Sequence, residues 1–213
     1  MRRGADEIRD YLLDQLNRAL RRPGMYGGEL ALRLYADALG FTDQAEAQVR
    51  AWHQALRERG EANAIGVSGP ALEALPRGCA EHVTASVYAG LAHQLGWLRP
   101  DRVVSIDDFH TMTAGIAEWC RVDRTLHDVL DTYGQPSVQA GGTSPYHPRS
   151  LVYVCAGEAP LALHLWNEVD PRPGDETRSA FPEPVLLAYQ GEGATGAGRY
   201  GYTPEGLKRK PAR

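Results

Sequence analysis

The stretch from Thr125 to Gln190 constrains the fold of this 213-residue chain more than any other. Leu126, Val129, Leu130 and Tyr133 recur at the spacing that places apolar side chains on one face of a helix. Gly134 can adopt the left-handed dihedrals that close a helix, and Pro136 prevents it from resuming. Past that break the apolar period becomes two. Leu151–Cys155 and Leu161–Trp166 are dense in β-formers, and Gly157-Glu158-Ala159-Pro160 separates them, which predicts a hairpin. Alternation sets Leu151, Tyr153 and Cys155 against Val152 and Val154. It likewise sets Leu161, Leu163 and Leu165 against Ala162, His164 and Trp166. Ser137 to Gln139 begins an earlier strand, and Val185 to Tyr189 adds a later one. Both sheet faces are apolar, so helices must cover at least one of them.

The residues before this module supply those helices. Ile8, Leu12, Leu13, Leu16 and Leu20 form a helical stripe over about residues 5–21, ended by Arg21-Arg22-Pro23-Gly24. Two more helices are expected in 29–59, broken at Gly40-Phe41-Thr42-Asp43, with Thr42 or Asp43 as N-cap and Ala45, Val49, Trp52 and Leu56 inward. Val83, Val87, Leu91 and Leu95 mark a long helix that ends near Leu95, and Ser105 caps another running from Ile106 to Trp119. The fold class is α+β: a mainly helical first two-thirds packed against a small antiparallel sheet formed by the last third. It divides into a helical part (1–122), a helix plus antiparallel meander (123–191) and a basic tail (192–213). The glycine-rich GEGATGAGRYGY and the basic, polar LKRKPAR predict that this whole tail is flexible.

Composition narrows the function classes. The formal net charge of −4 gives no global field for nucleic acid, and only the basic tail could contact it. No apolar run is long enough for a membrane span, and MRRGADEIRD lacks a secretory signal core. Three widely spaced cysteines do not make a secreted disulfide framework, so a cytoplasmic protein is expected.

Motifs that could carry chemistry are few. Cys79-x-x-His82 has a spacing that zinc uses, but a structural site needs a second close pair, so no metal is expected. Asp107 and His110 stand three apart at a helix start, where a carboxylate could orient an imidazole. The loop Gly141 to Arg149 is the candidate recognition surface, because the sheet tethers both ends and Tyr146, His147 and Arg149 offer aromatic area, a titratable group and anion recognition. No nucleophile elbow accompanies these residues, and no cofactor is implied.

Two local resemblances bear on function. The turn RRPGMYGG resembles the RPGMY-Gly turn of type II topoisomerase ATPase domains. The Glu-x-x-x-Asn spacing and Asp-x-Gly-x-Gly lid of that family do not follow, so ATP binding is not expected. The order helix, Gly-x-Pro, strand, hairpin, carried by Leu130, Gly134, Pro136, Leu151, Tyr153, Leu163 and Leu165, resembles α-then-β-meander modules of bacterial immunity and inhibitor proteins. That resemblance implies a non-enzymatic, immunity- or regulator-like protein acting on a protein target. The alternative is a small enzyme or small-molecule-binding protein of specialised metabolism, with a pocket between helices and sheet.

Overall fold

Strand alternation in the last third builds one sheet, and the helices divide between its two faces. The structure, a computed structural model, describes residues 4–144, 146–170, 178–191 and 200–211. Its strands are β1 (Val138–Gly141), β2 (Arg149–Tyr153), β3 (Leu161–Trp166), β4 (Val169–Asp170), β5 (Arg178–Ser179), β6 (Val185–Gln190) and β7 (Tyr200–Tyr202). Among the described residues they form a five-stranded antiparallel sheet, ordered β1-β2-β3-β6-β7, and a separate β4-β5 ribbon. The predicted hairpin is present, with Leu151 opposite Leu163 and Tyr153 opposite Leu161.

The helices are α1 (Ala5–Arg21), α2 (Gly28–Thr42), α3 (Glu46–Glu58), α4 (Ser68–Ala74), α5 (Ala80–Gln94), α6 (Ile106–Trp119), α7 (Leu126–Tyr133) and α8 (Pro204–Arg209). One sheet face carries Leu151, Tyr153, Leu161, Leu163, Leu165, Leu186 and Tyr189. It is covered by Phe109, Met112 and Ile116 of α6 and Val129 of α7. The opposite face presents Val138, Ala140, Val152, Val154 and Ala162 to α5 and α1, in one cluster with residues of α2 and α3. Helix α5 packs on β1 and β2 and also against α1 and α2, which explains why it is buried on most of its circumference. Helices therefore cover both faces of the sheet.

Local chemistry fixes the helix ends. Thr125 and Asp128 form a capping box at α7, and Gly134 closes it at φ 71°. Ser105 caps α6 by accepting the Asp108 N–H at 3.2 Å. Two polar locks, one buried and one partly exposed, hold α1 in place. Asn17 donates to the carbonyls of Leu13 and Trp97 and accepts the Arg99 N–H at 2.7 Å. Asp43 takes both Arg9 donors, at 2.6 and 2.8 Å, and the Trp97 indole N–H at 2.9 Å.

Several expectations need correction. Neither Thr42 nor Asp43 is the α3 N-cap: α2 runs to Thr42, Ala45 takes the cap position and Asp43 serves the Arg9 lock. The flexible tail is a further correction. Residues 192–199 lie outside the described residues, but 200–209 extend the sheet as β7 and then form α8. Buried Thr203 makes that possible: its hydroxyl donates to the Leu186 carbonyl at 2.7 Å and accepts the Gly206 N–H at 3.1 Å, capping α8. The cations of this segment are engaged. Lys208 and Arg209 pair with Glu205, Arg209 lies 4.3 Å over the Trp166 ring, and Lys210 lies 4.9 Å over Tyr202.

Candidate functional site

The residues singled out from the sequence fall into two separate groups. Asp107 and His110 are exposed on α6, where His110 reaches the Glu158 carboxylate at 3.3 Å in the turn after β2. Tyr146 and His147 are exposed on the loop before β2. The two groups thus sit at opposite ends of β2, roughly 13 Å apart along the strand, and form no common site. Arg149 is the unexpected one. It is only 4% exposed, and its guanidinium turns back to donate to the carbonyls of Ser144 and His147.

A larger concavity lies where no residue was singled out. Helices α2 and α3 and residues 62–67 enclose a cleft of 860 Å³. Glu29, Arg33, Asp37 and Phe41 recur every fourth residue of α2 along one wall, and Arg50, His53 and Arg57 of α3 form the other. Glu29 has a structural task. Its carboxylate accepts the backbone N–H groups of Val67 and Ser68, at 2.7 and 2.9 Å, and the Ser68 hydroxyl, so it caps α4 from another helix. Gly66, at φ 127°, gives the loop the close approach this needs.

At the cleft floor His53 makes edge contacts with Trp52, 5.0 Å between ring centroids, and with Tyr88 at 6.0 Å. Its Nε2 is buried without a hydrogen-bond partner. Desolvation holds the imidazole below its ordinary pKa; among the charges around it, Asp37 opposes that shift and Arg33 and Arg57 add to it. Burial, and then the Glu29 carboxylate, push the Tyr88 phenol up. The polar groups of the lining are carboxylates, guanidinium groups, side-chain amides, the His53 imidazole and the Tyr88 phenol.

The cleft has an apolar rim. Leu30, Leu34 and Phe41, on one side of α2, are 68, 58 and 75% exposed, and Ile65 on the facing loop is 80% exposed. The signal was present in ELALRLYADALGF: apolar residues recur around more of that helix than one buried face requires. Only Leu32, Ala36, Leu39 and Gly40 are buried.

Two further constellations are internal. Between α5 and the sheet the Ser150 hydroxyl lies 2.8 Å from Nδ1 of both His82 and His164. A hydroxyl has one hydrogen, so Ser150 donates to one ring and accepts from the other. All three residues are buried, His164 fully so. A sealed serine of this kind is no accessible nucleophile. Cys79, from the Cys-x-x-His pair, is also buried, with its thiol pushed up to about 12 by desolvation. Among the described residues no group of three or more His, Cys, Asp or Glu is placed to hold a metal, and no helix is long and apolar enough to cross a membrane. A second groove, of 610 Å³, lies between α3, α5 and the sheet end and includes Trp52, His93, Ala162 and Gln190. Comparison with known proteins adds no relative: no family model, no curated protein and no solved structure matches this chain.

Proposed function

We propose that this chain is a non-enzymatic binding protein of the immunity or regulator kind, which recognises a protein partner through the α2–α3 cleft and its apolar rim. The observation that carries the reading is the stripe Leu30, Leu34 and Phe41, three large apolar side chains left exposed on one helix. Such a stripe costs solubility without contributing to the core, and contiguous apolar surface of this kind marks interaction sites. The adjoining Arg33, Arg50 and Arg57 suit an interface, where arginine and aromatic residues are enriched. The partner it fits presents an apolar ridge to the stripe, flanked by acidic groups for these arginines. Three free, buried cysteines fit a reducing compartment such as the cytoplasm.

The test is affinity capture from the native host with the intact chain and with a Leu34→Asp/Phe41→Asp variant. A protein retained by the wild type should bind the variant at least about tenfold more weakly, while both melt together. Equal binding by the two removes the assignment of this face. Self-association of the wild type that the variant loses would assign it to a second copy of the chain.

A further inference from the structure

Among the described residues Arg149 is a buried cation with no counter-ion. It opens β2 opposite Gly141, and the Gly141 carbonyl accepts a 2.9 Å hydrogen bond from Arg22 Nη1. The two guanidinium groups therefore converge on the neck of the β1–β2 loop. Arg149 donates through Nε and Nη2 to the His147 and Ser144 carbonyls, which fix the plane of the group. Among the described residues neither arginine has a carboxylate within ion-pair distance. Glu81, which packs beside Gly24, pairs with neither of them.

This arrangement is electrostatically incomplete. A buried charge is normally paired, because desolvating an unpaired one is costly. Here carbonyl dipoles supply part of the compensation, while Arg22 adds a like charge. Burial, and after it that repulsion, lower the Arg149 pKa. The buried nitrogens without partners belong, among the described residues, to His53, His82 and His164. Among the described residues Arg149 Nη1 has no protein acceptor, yet it is not one of the fully buried unpaired nitrogens. The exposed Thr143 and His147 stand in the same loop.

We propose that Arg149 and Arg22 form a binding site for an oxyanion group, the phosphate or carboxylate of a small ligand, at the neck of the β1–β2 loop. The free N–H groups of Arg149, held in plane by two carbonyls, present the fork that oxyanions accept. Arg22 closes the other side. The bound anion neutralises two like charges at once and stabilises the folded chain by RT ln(1 + L/Kd), where L is the free anion concentration. This site is independent of the α2–α3 cleft, none of whose lining residues it shares.

The experiment titrates the full chain with sodium phosphate and, separately, sodium acetate, against sodium chloride at matched ionic strength. Melting temperature and calorimetric heat are read together. A saturable binding heat for either anion is expected, with a melting temperature that rises with the logarithm of its concentration. Saturation by phosphate alone assigns a phosphoryl ligand, and saturation by acetate a carboxylate. Arg22→Gln should weaken the response by about tenfold and Arg149→Lys by at least as much, since a lysine cannot present the fork. If Arg149→Lys does not fold, Arg22→Gln decides, because Arg22 is only half-buried. The Leu34→Asp/Phe41→Asp protein should bind the anion like the wild type. No saturable response to either anion, or an unchanged response in Arg22→Gln, overturns the proposal.

Discussion

At the scale of single residues, the most consequential chemistry is sealed inside. Burial pushes both His82 and His164 down to about 3, with neighbouring His164 and Arg149 adding to the effect on His82. Unfolded histidine titrates near 6.5, so between those values the unfolded chain takes up protons that the native chain refuses. Stability is therefore undiminished above that upper value and falls as the pH drops towards the lower one. The slope is about 1.4 kcal/mol per pH unit for each histidine. Urea unfolding from about pH 7 to about pH 5 measures it, and a His164→Gln variant, whatever its absolute stability, should show a shallower dependence. An identical slope in the variant would assign acid sensitivity to carboxylates instead. Ser150→Ala leaves both Nδ1 atoms without their shared partner and should cost about 1–3 kcal/mol at neutral pH. None of this was legible in the sequence. His82 and Ser150 lie 68 positions apart, and only the packing of α5 on β2 makes them neighbours. The depth of Arg149 was hidden for the same reason: a residue at a loop's end reads as exposed until the loop folds over it.

At the scale of elements, alternation and capping were readable because each depends on residues close in sequence. Gly134 and Pro136 ended α7, and the period-two runs assigned Leu151, Leu163 and Leu165 to one face, where they are buried. Leu163 is fully buried at the middle of the central strand, so Leu163→Ala should cost about 2–5 kcal/mol in chemical denaturation. A loss below about 1 kcal/mol would mean that the α6 side closes over the cavity. The tail was misjudged because Gly-rich composition describes only its first part. Tyr200 and Tyr202 take positions in β7, and Thr203-Pro204 begins α8, where local cues were outweighed by the preceding glycines. Glycine matters here for contact: a Cβ at Gly206 would collide with the Leu187 carbonyl. Gly206→Ala should therefore detach α8 from β6 and unshield Trp166. The expected readouts are a red shift in tryptophan emission and faster amide exchange along β6, and neither should appear in Lys208→Ala.

At the scale of the whole molecule, the boundary suggested near residue 122 runs through a shared core. Leu16, Leu20, Leu32, Ala85, Tyr88 and Leu91 from the helical part belong to one buried cluster with Val138, Val152, Val154 and Ala162 from the sheet. The sheet in turn has its other face covered by α6 from before the boundary and α7 from after it. Severing the chain at 122 would expose both sides of that packing. A fully buried valine or leucine contributes about 1.5–3 kcal/mol, and a domain is stable by only about 5–15 kcal/mol, so losing this many contacts exceeds the margin. The chain should consequently unfold as one unit. Tryptophan fluorescence and far-ultraviolet dichroism should give coincident urea transitions, since Trp52 and Trp97 report on one face and Trp119 on the other. A fragment of residues 1–122 should retain helical dichroism but show no cooperative melt. Recovery of a sharp transition in that fragment, or two separated transitions in the full chain, would show that the helical part holds its own core. The packing of α5 against β1 and β2 would then be a docking contact between two folded halves.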